Sequence, residues 1–503
     1  MFPDIASMVM IFLNLPANDA RIVCRNVTSF MSIFLYAFIS IAKHTTGFEA
    51  STKRTGSSEP VNSTSPMIPR SYLTLAIPVV LSMVVTLIYN LADTFFVART
   101  NSTVLVAGVS LGAPVFTALM AIGNIFGQGG SVLISRLIGQ NDTDNAERTS
   151  SFCFYITFFL GIIIAFLMLL FRIPILGILG ADSETFKYAS DYYTPLAIGA
   201  PFIMLSFIHS NLLRSEGLSK ESMIGTAGGA IVNIILDPIM ISGLGWGASG
   251  AAIATVIGYI FSDAVFLVMV KRKSRILSVS IRKLKLSSSF IRQIVGIGIP
   301  AAIANMMQSF TAVMTNQYLL PYGNDKIAAM GIVLKVSMIA LLILTGLAFG
   351  GQPLYGYYFG RGDKKRLSEL FRFTLVFILS VAVVLTVLII VLSPFLMGIF
   401  MDAENIIKDG TFMLRAQVIT MPLVALVLLF TIIFQSAGKV VGSFVLSISR
   451  QGVIFLIVLV IGNIFAGYIG VVATQAVSDI ITSLIAIILF RVQLSGTFRW
   501  KSR

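Results

Sequence analysis

The sequence predicts an all-α integral membrane protein, with twelve transmembrane helices arranged as two pseudo-symmetric six-helix bundles. Three observations carry this reading. First, 56% of the 503 residues are hydrophobic and 12% are charged, where a soluble domain carries roughly 25% charged residues; the mean hydropathy is +0.91. Second, from Ser71 onward apolar runs of spanning length alternate with short polar loops. Third, the second half of that pattern repeats the first at an offset of about 220 residues.

The apolar runs cover 72–97, 104–127, 150–171, 188–209, 222–243 and 247–270, then 291–319, 327–355, 370–392, 411–434, 443–466 and 468–490. In hydrocarbon each run must satisfy its own backbone groups, which makes it a helix. The alternation of a membrane β-barrel strand is absent. Residues 1–70 stand apart. Ser29 to Ala42 is apolar but falls short of the roughly 20 residues needed to span. Ala50 to Pro69, rich in Ser, Thr and Pro, reads as a flexible linker. This leader is expected to be dispensable and to reflect a start set too far upstream, with Met31 or Met67 opening a shorter chain. The expected division is therefore leader 1–70, first lobe 71–281 and second lobe 282–503.

Net charge is +14, yet the cations sit in loops and form no basic face that could follow a phosphate backbone, so nucleic acid is excluded as a partner. One alternate set of loops holds Arg136 with Arg148, Arg214 with Lys220, Arg361 with Lys364 to Arg366, and the central stretch Lys271 to Lys285. The other set is acidic or neutral, with Asp182, Glu184, Asp325, Asp402, Glu404 and Asp409. Under the positive-inside rule this places the central loop and both termini in the cytoplasm.

Two cysteines without a CxxC and two histidines offer no zinc framework. HExxH, GxSxG and Walker A motifs are absent, so the chain reads as a non-enzyme. With no phosphate-binding loop, transport would run on an ion gradient and need no organic cofactor.

The repeat is legible residue by residue. Ile77-Pro78 answers Ile299-Pro300, Gly127-Gln128-Gly129 answers Gly350-Gly351-Gln352, and Gly139 to Asp142 answers Gly360 to Asp363. Pro201 answers Pro422, Leu213 to Gly217 answers Phe434 to Gly438, and Gly247 with Gly250 answers Gly467 with Gly470. Two halves of like topology pack about an axis along the membrane normal, with a cavity between them, and rocking gives alternating access.

Charges inside the apolar runs are the functional candidates, because a carboxylate at the bilayer centre costs roughly 2.5–3.5 kcal/mol on insertion scales. Asp93 shares a helix face with Asn90, three residues away, and Asp237 shares one with Asn233, four away. Pro238 frees a backbone carbonyl nearby. These oxygen groups suit a hard cation or a shared proton. The second half carries Thr315-Asn316-Gln317 and Val453 to Val458 at the matching offsets, which leaves a single cation site, in the first half. Tyr89, Asn90, Gln128 and Lys335 are candidate cavity residues. Asp263 is expected near the interface or paired with Lys271, Asp479 occupies a similar place in the last span, and His209 reads as a loop-proximal helix residue.

At Asn90 to Asp93, Gly127 to Asp142, Leu213 to Gly217, Asn233 to Pro238 and Gly247 to Ala252, the chain resembles the multidrug and toxic compound extrusion (MATE) family, within it the MepA-like bacterial branch. The resemblance runs from about Pro66 to Arg491. It implies a V-shaped fold in the cell (inner) membrane that exports organic cations and drugs by Na+ or H+ antiport. It also implies a cation site of Asp93, Asn233, Asp237 and Thr255. The second lobe lacks clear counterparts of the acids some relatives use there. A lipid-linked oligosaccharide flippase of the same superfamily is the alternative. The working unit is expected to be a monomer in the lipid bilayer, handling small-molecule substrates.

Overall fold

The computed structural model describes residues 68–100, 102–400 and 403–498. The expectations for the leader therefore fall almost wholly outside the described residues. The first lobe is built from α1 (Ile68–Ala98), α2 (Thr103–Gly139), α3 (Thr143–Leu170), α4 (Phe186–Ser215), α5 (Ser219–Pro238) and α6 (Gly247–Lys273). The second holds α7 (Ser288–Leu319), α8 (Asn324–Arg361), α9 (Lys364–Phe400), and α10 in two pieces, Glu404–Val418 and Met421–Ser436, bent by 41°. α11 begins at Val440–Ile448, passes through a wide π turn at Ser449–Val453, and enters the helical stretch Ile454–Leu494.

That last stretch is two spans. Together with the preceding pieces it is 55 residues long, or about 80 Å at 1.5 Å per residue, against a hydrocarbon core of ~30 Å. Gly467 breaks it with φ 54° and ψ −130°. Across the break the chain folds back on itself: a Cβ on Gly462 would stand 2.9 Å from the Gly470 carbonyl oxygen, although eight residues of straight helix would separate them by about 12 Å. α11 therefore ends at the break and α12 begins there. All twelve predicted spans are present, and the described residues are helical nearly throughout.

The repeat recurs in the backbone. Asn141 and Gly362 both take positive φ, as do Gly217 and Gly438, and Gly247 and Gly467. Each pair closes the same turn of its lobe. The connection after α6 is fastened to the first lobe: Ser150 and Ser151 donate to the Ser278 carbonyl at 3.0 Å each, Tyr155 donates to the Val279 carbonyl, and Lys283 pairs with Glu147. Glu216 accepts from the amides of Arg275 and Ile276. Burial pushes the Glu216 carboxyl up, against the pull of those donors.

Among the described residues the close contacts between the lobes lie toward the end carrying the basic loops. There glycines bring backbones into direct contact. A Cβ on Gly298 of α7 would stand 2.6 Å from the Ile125 carbonyl carbon of α2, and one on Gly129 of α2 would stand 2.8 Å from that of Ile294. Gly360 of α8 lies against Arg136 in the same way, and Gly346 against Val80 of α1. Tyr72 donates to the Leu347 carbonyl at 2.7 Å, and Arg136 to Gln293 at 3.3 Å. Followed by steps of three and four residues toward the other end, the same faces become exposed at Leu91 and Thr94, Pro114, Ser309 and Lys335. A cleft thus opens away from the basic end.

Candidate cation site

The site lies in the first lobe, in the half remote from the basic loops. Two helices supply its centre, and glycine lets them approach. A Cβ on Gly258 of α6 would stand 2.8 Å from the Gly229 carbonyl oxygen of α5 and 3.2 Å from the Asn233 Cβ. Small residues at such crossings allow backbone contact in a bilayer. At this crossing Asn233 Nδ2 donates to Asp237 Oδ1 at 3.3 Å and to Thr255 Oγ1 at 3.4 Å. Asn233, Asp237 and Thr255 are all buried. Past Asp237 the winding changes: Pro238 ends the regular helix, and Ile239–Gly243 continues as a wide π turn. Such turns are frequent at functional sites.

α1 packs on α5 and brings Asp93 within electrostatic reach of Asp237. Three oxygens here are buried without a protein partner: Asp93 Oδ1, Asn233 Oδ1 and Asp237 Oδ2. All are hard acceptors, and two belong to carboxylates. This donor set fits a cation such as Na+ or one or two protons. Among the described residues no three His, Cys, Asp or Glu side chains gather as a metal site.

The structure thus joins Asn233, Asp237 and Thr255 by hydrogen bonds and sets Asp93 within electrostatic reach of Asp237. The candidate cavity residues separate. Tyr89 turns to Tyr259 of α6, hydroxyl to hydroxyl at 3.4 Å. Asn90 stays on the Asp93 helix face. Gln128 is buried beside Gly129, near the contact between the lobes. Lys335 is exposed on the α8 face that lines the cleft.

Three expectations are corrected. Asp263 pairs with His209, Oδ1 to Nδ1 at 3.3 Å, and both are buried. It faces into the lobe two helical turns before Lys271, and His209 is a core residue. Asp479 is an internal ion-pair member: it accepts from Arg450 Nε, Gln475 Nε2 and Thr420 Oγ1, each at 3.0 Å. With three donors bound it differs from the Asp93 and Asp237 carboxylates. Sequence reading also missed Tyr192 of α4, a buried phenol within electrostatic reach of both acids. A tyrosine inside an apolar run carries no signal of its own.

The repeated lobes, the one-sided cleft and the buried acids define a membrane transporter. The MatE family model matches residues 78–239 and again 300–461, one match to each lobe, and the chain belongs to the multidrug and toxic compound extrusion (MATE) family. It is 31% identical over 420 residues to the multidrug export protein MepA of Staphylococcus aureus strain MSSA476, covering 84% of this chain and 93% of that protein. MepA of Staphylococcus haemolyticus is 30% identical, at 84% and 92% coverage. Among solved structures, an outward-facing multidrug resistance MATE family transporter of the MOP superfamily superposes with a TM-score of 0.82 at 22% identity, covering 89% of this chain and all of that one. A MOP superfamily transporter from Pyrococcus furiosus Vc1 (DSM3638) gives the same TM-score and identity, at 88% and 99% coverage.

Proposed function

We propose that the chain is a secondary active multidrug exporter, exchanging organic cations for Na+ or H+, with its basic end and both termini in the cytoplasm of the cell that bears it. The observation that carries this is the group of three buried, unpartnered oxygens at Asp93, Asn233 and Asp237. An acid in hydrocarbon is costly, and two acids within electrostatic reach repel each other unless a cation or a proton is taken up. On this reading the described conformation is outward-facing: sealed toward the cytoplasm and open to the other side. Ion entry from outside neutralises the acids, and drug and ion weaken each other's binding by an equal factor, since linkage is reciprocal. The protein acts as a monomer, each lobe moving against the other.

The test is uphill drug transport by purified protein in vesicles under an imposed sodium or pH gradient. One gradient is expected to drive it, and Asp237→Asn is expected to abolish that drive while leaving the thermal unfolding temperature nearly unchanged. Full uphill transport by Asp237→Asn refutes the coupling role. Dye efflux from intact cells separates this reading from a lipid-linked oligosaccharide flippase, which leaves the dye inside.

A further inference from the structure

The His209–Asp263 pair has no part in the cation site, yet it is built like a second place for a proton. His209 is 2% exposed and Asp263 5%, and one 3.3 Å contact joins them. His209 Nε2 and Asp263 Oδ2 are both buried without a partner. Asp479 makes the contrast: it accepts from three donors, one of them an arginine. The histidine–aspartate pair is neutral with one proton and carries −1 without it, so one proton changes the buried charge by a full unit. Phe154 and Phe266 flank the imidazole, with ring centroids at 5.4 and 6.2 Å.

The pair is aligned with the cation site. Thr255, Tyr259 and Asp263 follow one another at four-residue steps on α6, which stacks them on one face and sets Asp263 about 12 Å from Thr255 toward the basic end. Midway, the Tyr259 hydroxyl meets that of Tyr89 at 3.4 Å, one helical turn from Asp93. Beyond the pair, Ser210, Ser222 and Arg214 form a hydrogen-bonded group toward the basic loops. The other ionisable side chains around this level are Tyr259 on α6 and Cys153 on α3. Arg214 on α4 and Lys220 with Glu221 on α5 lie nearer the basic end.

Resting on the reading of Asp93 and Asp237 as the coupling site, we propose that His209 and Asp263 form a second proton-holding station, exchanging protons with that site through Tyr89 and Tyr259. An O–H bond breaks at the Asp93 or Asp237 carboxyl and an N–H or O–H bond forms at the pair. Each phenol accepts one proton and releases another, and ends unchanged.

The chain has two histidines, His44 and His209, so full-length protein labelled with 15N-histidine and carrying His44→Gln reports His209 alone. In lipid nanodiscs its ring nitrogens are expected to change protonation state across a pH titration. Asp237→Asn should shift that midpoint, and adding Tyr259→Phe should remove the shift. A ring that keeps one protonation state throughout, or a midpoint indifferent to Asp237→Asn, overturns the proposal without any change to the pair itself. In vesicles, Asp263→Asn should slow pH-driven uphill transport at least tenfold while preserving drug–drug exchange, and Asp263→Glu should restore much of the rate. If Asp263→Asn transports like the native protein while Asp237→Asn fails, the second station is wrong and the coupling site stands. If Asp237→Asn transports uphill, the coupling reading itself has failed.

Discussion

Gly298→Ala should move the protein out of the conformation described above. The new methyl would meet the Ile125 carbonyl carbon and Cα at 2.6 Å, where ordinary contact begins near 3.4 Å. Backbone on the facing helix cannot rotate aside, and the Ile125 carbonyl oxygen lies nearer still, so α2 and α7 must part by more than about 0.8 Å or the lobes must separate. Overpacking of this kind costs about 1–3 kcal/mol. That cost falls only on the sealed state, so the balance of conformations shifts roughly 5- to 150-fold toward the state with the lobes apart at this end. Gly331→Ala is the matched control, a helical glycine of the same lobe with nothing within 4 Å of its Cβ position. The assay is labelling of a single cysteine at Ser309, in the cleft, by an impermeant thiol reagent added from outside. Gly298→Ala should slow it several-fold and Gly331→Ala should leave it alone. Equal labelling in all three backgrounds would show that the glycine contacts do not set the conformation.

Gly467→Ala places a side chain at φ 54° and ψ −130°, a region essentially reserved for glycine, and should lower stability by ~1–3 kcal/mol, seen as a reduced melting temperature in detergent. Arg450→Leu strands the buried Asp479 carboxylate and should cost about 3–5 kcal/mol, most of it regained when Asp479→Leu is added; thermal unfolding of the single and double variants checks this. Lys335→Gln removes a cation from the cleft wall. Like charges about 10 Å apart in water repel by ~0.4 kcal/mol, so the apparent affinity for a cationic drug should rise about twofold and that for an anionic dye should fall, as read by equilibrium binding.

The sequence made the spans and the duplication readable because lipid imposes length and composition on every helix, and because turn glycines such as Gly217 and Gly438 sit at fixed offsets. The same logic reached Asp93, Asn233 and Asp237, since an acid in an apolar run stands out. It did not reveal what each acid faces. Asp263 and Asp479 look alike in sequence, yet one faces a histidine from α4 and the other an arginine at a π turn of α11. Partner choice depends on helix rotation, which apolar runs do not encode when lipid and protein surroundings accept the same residues. The glycines that bring α5 and α6 together, Gly229 and Gly258, are likewise unremarkable until the crossing is seen.

The connection between the lobes limits how far they can travel. It is tied to the first lobe as far as Lys283, and α7 begins at Ser288. Only Leu284 to Ser287 is left between tie and helix, and four residues fully extended reach about 14 Å. On the proposed reading, this is a short leash across the end that opens when drug enters. While that tie holds it favours a tilt over a wide parting, so these four residues join the walls of the cleft in limiting the size of molecule admitted from the basic end.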